Sequence, residues 1–313
     1  MKPKLKIKFV DFWPGFDPEN SIFFEILGGS DYVEIIDDPE LLFFSNFGNK
    51  HKEYKCFKVF FSSENERTNW FSADLALTFD LISSSKHFRL PLYMLYSFRF
   101  DKDIRTALAV KDNFNINEWN NRKFCCFLVS NPNSKKRIEF FNFINSKERV
   151  ESGGRYLNNI GYDVSDKIEF IRNYKFVISF ENDRYDGYTT EKIFEPFLTQ
   201  SIPVYWGNAK VNLDFNEKAF INVSHFKNFD EVFNRMKEIE NDLNLAQKMI
   251  LCEKIIVDNE FHHLNNVKMF IMEGLKNHEP ISAKKYNRII SVLIDKWRTM
   301  VYWIKYYSIG VNR

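Results

Sequence analysis

Residues 181–207, ENDRYDGYTTEKIFEPFLTQSIPVYWG, gather acids, a loop glycine, a run of hydroxyls and a Glu-Lys pair beside two apolar runs. The run KFVISF ends just before them, and ENDRYDGY reads as a loop. Thr189 or Thr190 can cap the helix that follows. Glu191 and Lys192 then fall in its first turn, where free backbone N–H groups and the positive end of the helix dipole favour anions, phosphate above all. Lys192 adds a full positive charge. Glu191 offers two acceptor oxygens to sugar hydroxyls, or to a sugar carrying developing positive charge. The sequence has neither G-x-G-x-x-G nor a Walker A loop. An anion site must therefore combine a helix terminus with separate basic side chains. Lys135, Lys136 and Arg137, after the apolar run FCCFLV, are the candidates, and arginine is best suited to bidentate phosphate contact.

Each of these residues also has an ordinary reading. Lys135–Arg137 can be the wet face of a helix, and Glu191-Lys192 plain first-turn charges. Glu64 and Glu66 follow the run FKVFFSS; they are either solvated loop acids or the source of a carboxylate base. Tyr205-Trp206 reads as core strand rather than a stacking platform, while Tyr188 can pack or bond a ligand. The run DKD at Asp101–Asp103 imitates an Asp-x-Asp metal motif, but its irregular surroundings read as a solvated turn or helix cap. His262-His263 lacks companion ligands at metal spacing, so its expected role is structural.

The elements that must position these residues alternate. LKIKFV, YVEII, LLFFSN, FKVFFSS and DLALTF read as strands, and PENSIFFEIL as a short helix. Residues 101–121 lose the pattern, gain Asn and Asp, and read as a connecting segment. A second series follows: strand KFCCFLVS, turn NPNS, helix KKRIEFFNFI, a glycine-containing loop over 148–159, helix SDKIEFIRNY and strand KFVISF. After these come a helix from about Thr190 to Thr199, the strand IPVYW, and the amphipathic helix NFDEVFNRMKEIEND. Short apolar strands separated by helices imply parallel sheets covered on both faces. Two Rossmann-like halves imply a cleft, with ligands outside the carboxyl ends of the strands. Ser62–Glu66, Ser130–Asn133, Glu181–Glu191 and Gly207 occupy those ends.

Composition sets the outer bounds. The 313 residues, 44% of them hydrophobic and 34 of them Phe, supply two ordinary domains with real cores and exclude a disordered chain. A net charge of +2 is too balanced for a nucleic-acid binder. The charge is uneven, with eight Lys/Arg against two acids from Lys276 to Arg313. There, RIISVLIDKWRTMVYWIK reads as a basic amphipathic helix, suited either to an anionic membrane surface or to packing on the body. Four cysteines without C-x-x-C spacing fit a reducing, cytoplasmic setting, with or without peripheral contact at the inner membrane surface through residues 284–313. The expected division is an N-terminal domain over 1–122, a second over 123–270 and a helical tail over 271–313.

The segment FENDRYDGYTTEKI, with IPVYWG downstream, closely resembles the signature of the α1,3-fucosyltransferases of glycosyltransferase family ten. The likeness continues upstream through SNPNSKKRIEFFNFINSKERVESGGRYLNNIGYDVSDK, which is similar to the bacterial members. It reaches the front third through FFSSENE and FRLPLYML. It covers Lys123–Asp230 strongly, the front third loosely, and the chain beyond Phe270 hardly at all. Two departures are a longer, more charged loop before Gly187 and Thr189 where valine is common.

The resemblance implies an α/β chain of GT-B architecture, a GDP-β-L-fucose donor and inversion at the anomeric carbon. Arg137 and Lys192 match the family's diphosphate-binding positions, and Glu191 the acid that contacts fucose or ribose. Asn182 and Tyr188 match donor-contacting positions, and Glu64 the catalytic base on the acceptor side. The implied acceptor is an N-acetylglucosamine-containing oligosaccharide such as N-acetyllactosamine, fucosylated in α1,3 or α1,4 linkage. Nucleic acid is not an expected partner. No cofactor is required, with stimulation by a divalent metal left open. Two rivals remain: a metal-dependent transferase using DKD, and a catalytically silent nucleotide- or glycan-binding protein. A retaining transferase is disfavoured, because no acid stands at E-x7-E spacing after Glu191.

Overall fold

The computed structural model describes residues 3–62, 64–98, 100, 103–109, 113–255, 258–259, 262–277 and 280. Two compact units are formed. One comprises the described residues up to Leu90 together with those from His263 on, and the other Pro91–His262.

The first unit carries β1 (Leu5–Val10), α1 (Ile22–Leu27), β2 (Val33–Ile35), β3 (Leu41–Phe44), β4 (Phe57–Phe61), β5 (Leu75–Thr78) and β6 (His87–Arg89). The strands form one parallel sheet in the order β2-β1-β3-β4-β5-β6. Every residue of β3, β4 and β5 is buried, which explains why their sequences are apolar but for Lys58 and Thr78. α1 starts where Ser21 Oγ accepts from Phe24 N at 3.2 Å, and it stops at Gly28 in the left-handed conformation, φ 105°.

The second unit carries α2 (Tyr93–Ser97), α3 (Ile104–Ala107), α4 (Ile116–Asn121), β7 (Lys123–Phe127), α5 (Lys135–Lys147) and β8 (Val150–Ser152). It continues with α6 (Lys167–Ile171), β9 (Tyr174–Phe180), α7 (Glu191–Leu198), β10 (Ile202–Trp206), β11 (Ile221–Asn222), α8 (Phe229–Asn241) and α9 (Leu243–Leu251). Its parallel sheet runs β11-β10-β9-β7-β8. Phe140 of α5 stacks on Phe180 of β9 at 4.6 Å, and Phe141 on Phe127 of β7 at 5.0 Å. α4 is held by Asn115, whose side chain accepts from Glu118 N at 3.1 Å, and by Trp119, buried edge-on to Phe176. The Arg122 guanidinium then donates to the carbonyls of Thr199 and Gln200, each at 2.9 Å, tying this segment to the end of α7.

The chain returns to the first unit with α10 (Leu264–Asn277). A Cβ on Gly274 would stand 2.4 Å from Leu75 Cδ1, so glycine is what lets this helix lie close to β5. Two all-parallel sheets within an α/β chain are the composition expected of GT-B proteins.

No described helix is long and apolar enough to cross a membrane. Of the DKD run, Asp103 caps α3, its carboxylate accepting from Arg105 N at 2.9 Å. Asp101, Lys102 and the basic stretch 288–305 lie outside the described residues.

Candidate donor site

In the second sheet β9 lies between β10 and β7, so the loops leaving their carboxyl ends are neighbours. The loop after β7 leads into α5, and the loop after β9 into α7. The first turns of these two helices carry Arg137 and Lys192. Lys135 and Lys136 are exposed, whereas Arg137 is only 2% exposed, so the wet-face reading holds for the first two alone.

Glu181, the first residue after β9, is fully buried and organises the rest. Its carboxylate accepts from Thr190 N at 2.8 Å, from Thr190 Oγ1 at 2.7 Å and from Lys192 Nζ at 3.2 Å. Lys192 Nζ also donates to Thr190 Oγ1 at 2.9 Å. Thr190 stands at the N-cap position of α7, but its hydroxyl is committed to Glu181 and makes no side-chain cap bond. The hydroxyl hydrogen goes to Glu181 and the hydroxyl oxygen accepts from the Lys192 ammonium, a charged donor in the place that a helix amide would take in an ordinary cap.

Arg137 donates from Nη1 to Asn182 Oδ1 at 2.8 Å and from Nη2 to Asn131 O at 2.6 Å. Its buried Nε has no hydrogen-bond partner. A guanidinium has five N–H donors. Nε and one hydrogen on each Nη therefore remain for an oxyanion. Arg137, Lys167, Lys192 and Glu195 line one cavity of about 20 Å³, room for about one water. Lys192 keeps 21% of its side chain exposed, so it is the outer cation and Arg137 the inner one. A larger cavity, about 390 Å³, is lined by residues including Lys218, Phe220, His225 and Lys248, and holds none of the expected site residues.

The cations are matched by carboxylates. Lys167 pairs with Glu195 and lies 3.8 Å from Glu191, which is 3.5 Å from Lys192. Burial pushes Glu191 up, but the Lys192 and Lys167 ammonium groups more than reverse this and hold its pKa down to about 2. Burial also pulls Lys192 down, and the Glu181 and Glu191 carboxylates outweigh it, keeping its pKa well above the ordinary lysine value. Glu181 and Glu195 are raised by burial. Glu191 and Lys192 are thus firmly charged, and Glu181 and Glu195 are the acids that a proton can most readily neutralise when a further anion arrives.

The loop between β9 and α7 is pinned from β10. Asn208, 2% exposed, accepts from Gly187 N at 2.7 Å and donates to Thr189 Oγ1 at 2.9 Å. Tyr188 between them is buried. Gly207 makes room for Glu181: a Cβ there would stand 2.4 Å from Glu181 Cγ and 3.1 Å from the Tyr205 hydroxyl. Gly207→Ala is accordingly expected to push Glu181 off Lys192 and Thr190. It should lower stability by about 1–3 kcal/mol and weaken anion binding at this site roughly tenfold, read by thermal melting and by calorimetry with inorganic pyrophosphate. Unchanged pyrophosphate affinity would mean that Glu181 does not set the position of Lys192.

Arg137, Asn182, Tyr188, Glu191 and Lys192 therefore gather at one sheet edge. Four residues that the expected site set lacks join them. Glu181 was legible only as an acid after a strand, and Asn208 only as the neighbour of Gly207. Glu195 shares a helix face with Glu191 at i,i+4. Lys167 comes from α6, and no spacing in the sequence links it to α7.

Glu64 belongs to the first unit, in the loop after β4, and is exposed. Its carbonyl accepts from Ser62 Oγ at 2.6 Å and from Glu66 N at 2.7 Å. Arg67 donates to Asn65 Oδ1 at 2.5 Å and pairs with Asp80 beyond β5, fastening the loop to the next strand.

The chain matches two family models: the alpha-(1,3)-fucosyltransferase FucT N-terminal domain over residues 7–96, and the glycosyltransferase family 10 (fucosyltransferase) C-terminal region over 119–249. It is 32% identical to the alpha-(1,3)-fucosyltransferase FucT of Helicobacter pylori, over 79% of this chain and 60% of that protein. It is 30% identical to the human 4-galactosyl-N-acetylglucosaminide 3-alpha-L-fucosyltransferase 9, over 48% of this chain and 43% of that one. Measured against these two curated relatives, the chain spans about half of their length. Its fold is similar to the crystal structure of an alpha1,3-fucosyltransferase, with a TM-score of 0.75 and 30% identity, covering 90% of this chain and 92% of that one. A crystal structure of alpha1,3-fucosyltransferase with GDP-fucose aligns with a TM-score of 0.72 at 30% identity, over 88% and 91% of the two chains.

Proposed function

Because the chain belongs to glycosyltransferase family 10, the fucosyltransferases, we propose that it transfers L-fucose from GDP-β-L-fucose to a hydroxyl of an N-acetylglucosamine-containing oligosaccharide, with inversion and in α1,3 linkage. The observation that carries this reading is the convergence of Arg137 and Lys192 on one cavity at the carboxyl ends of parallel strands. A leaving diphosphate needs two cations there, and the solved relative with GDP-fucose makes that donor the natural choice.

The reaction is a single displacement. The acceptor oxygen bonds to the fucose anomeric carbon as the carbon–phosphate oxygen bond breaks, and GDP leaves with the electron pair. Glu64 takes the acceptor proton. Lys192, Arg137 and the α7 N-terminus stabilise the charge that builds on the diphosphate. Glu191, ionised beside Lys192, faces the positive charge that develops on the sugar. Asn182 and Tyr188 orient the donor. The scheme needs no metal cofactor, and added divalent metal would act only as a stimulant. Four cysteines without C-x-x-C spacing fit a reducing, cytoplasmic setting, and the basic residues 284–313 are suited either to peripheral membrane contact or to packing on the body.

The test is incubation with GDP-fucose and N-acetyllactosamine, lacto-N-biose or lactose, with linkage and anomeric configuration read by NMR. An α1,3-fucosylated N-acetyllactosamine is the expected product. Absence of heat with GDP in calorimetry, together with no product from any acceptor, would end the reading.

A further inference from the structure

In the first sheet the carboxyl ends of β1, β3 and β4 stand side by side in that order. The loop after β4 holds Glu64. The loops after β1 and β3 hold a group of aromatic rings. Phe12 stacks on Phe16 at 4.1 Å, and Trp13 meets Phe16 edge-on at 5.0 Å and Phe47 at 6.5 Å. Beneath them Phe9 joins this group to the core, 5.7 Å from Phe16 and stacked on Phe43 at 5.1 Å, and Phe43 stacks in turn on Phe23. The rings thus run from fully buried Phe43 and Phe23 to half-buried Trp13 and to Phe47, which is 45% exposed.

The exposed end of this column is held rigidly. Asp11, just after β1, is a non-glycine residue in the left-handed region, φ 58°. Its carboxylate accepts from Lys50 N and His51 N, each at 2.9 Å, and bonds His51 Nδ1 at 2.7 Å. Its carbonyl accepts from Phe47 N at 3.0 Å. A Cβ on Gly48 would stand 2.4 Å from Asp11 Oδ1, so only glycine lets the two loops close this tightly. Backbone strain of this kind persists where the surroundings over-determine it, and it gathers at ligand sites.

We propose that Trp13 and Phe47, whose ring planes stand 77° apart, form an L-shaped aromatic platform for a pyranose ring of the acceptor oligosaccharide, beside the hydroxyl whose proton Glu64 takes. This rests on the transferase reading above and adds to it the residues that hold the acceptor. Neighbouring strands are about 4.8 Å apart. The loops after β1 and β3 therefore begin one to two spacings, roughly 5–10 Å, from the loop of Glu64, which is about the width of one sugar ring. A pyranose offers a C–H-rich face to an aromatic ring and leaves its hydroxyls at the rim for polar groups. Two exposed rings are far smaller than the roughly 800 Å² per partner of a stable protein interface. The rings carry no charge to attract a diphosphate.

The test uses the intact chain with Trp13→Ala, Phe47→Ala and Trp13→Tyr. Saturation-transfer NMR of N-acetyllactosamine without donor should show the strongest transfer on one C–H face in the wild type and lose it in both alanine variants. At saturating GDP-fucose the acceptor KM should rise roughly tenfold in each alanine variant, with kcat within about threefold. Trp13→Tyr, which keeps a ring face, should recover most of the loss, and GDP affinity should not change. Phe47 is exposed enough that its alanine variant should melt as the wild type does, which keeps the test valid if Trp13→Ala unfolds. A wild-type acceptor KM in folded Phe47→Ala and Trp13→Ala overturns the platform. So does the absence of glycan contact in a wild type that still binds GDP. A wild type that contacts the glycan through these rings but binds no GDP would instead overturn the transferase reading and leave the platform standing.

Discussion

Lys192→Met is expected to lower kcat/KM by about a thousandfold and to weaken GDP binding by roughly a hundredfold, the scale seen when one preorganised donor to a developing oxyanion is lost. Lys192 is the outer cation of the site, with its ammonium held within hydrogen-bond reach of Glu181 and Thr190. No other basic side chain stands in the first turn of α7. The substitution has a second consequence. It leaves the fully buried Glu181 without its cation, and breaking such a pair costs about 3–5 kcal/mol. Lost activity alone could therefore reflect lost folding. The double variant Glu181→Gln/Lys192→Met separates the two, because it removes both charges while Gln keeps an acceptor for Thr190. Its melting temperature should return most of the way to wild type while its activity stays lost. Wild-type GDP affinity in a folded Lys192→Met protein would take Lys192 out of the donor site.

Much of this arrangement could be read before the structure, for a physical reason. Strands buried on both faces have largely apolar sequences, so β3, β4, β5, β9 and β10 announce themselves. A hydroxyl residue followed by an acid and a base marks the start of α7 in the same way, although the Thr190 hydroxyl bonds Glu181 and does not cap the helix. Elements whose stability is tertiary were not legible. β8 has three residues within a glycine-containing loop, and what makes it a strand is its pairing with β7 in the register Cys125↔Val150. α4 lies where Asn and Asp suggest an irregular segment. Yet Asn115 caps it and Trp119 anchors it, neither of which composition can reveal.

The site divides along the same line. Lys192 and the run Lys135–Arg137 could be picked out because a helix N-terminus is a local feature, and the family resemblance then singled out Arg137. The balance of charge around them could not, since it depends on three elements meeting: α7 gives Glu191 and Glu195, α6 gives Lys167, and the end of β9 gives Glu181. An acid after a strand reads as solvated, whereas Glu181 is fully buried and triply bonded. The cradle therefore carries matched charges rather than a simple excess of positive charge. Burial raises Glu181 and Glu195 toward their neutral forms, and a diphosphate would meet the N–H groups of Arg137 that no protein acceptor takes.

Glu64→Gln is expected to reduce kcat about a thousandfold, within the range for loss of a positioned general base, while GDP affinity and acceptor KM stay close to wild type. The proton of the attacking hydroxyl must leave as the oxygen bonds to carbon, and the amide keeps the size of the side chain but cannot accept that proton. Glu64 is exposed, and its loop is fixed through its backbone by Ser62 Oγ and Glu66 N. The glutamine keeps the side chain's size and an acceptor oxygen, so stability should change by no more than about 1 kcal/mol, and thermal melting of the variant lets a loss of rate report on chemistry. The carboxylates of Glu66, in the same loop, and Asp80, just after β5, are the rivals to be weighed. Glu66, also exposed, is the control, and Glu66→Gln should transfer within roughly threefold of wild type, a difference below about 0.7 kcal/mol. Asp80 is buried, paired with Arg67 and bonded by Thr78 Oγ1 at 3.1 Å. Those bonds hold it as a support for the loop rather than as a base. Rates for Glu64→Gln and Glu66→Gln at saturating donor and acceptor decide the assignment. If Glu66→Gln loses the rate and Glu64→Gln keeps it, the base is Glu66; if neither does, proton removal does not depend on this loop.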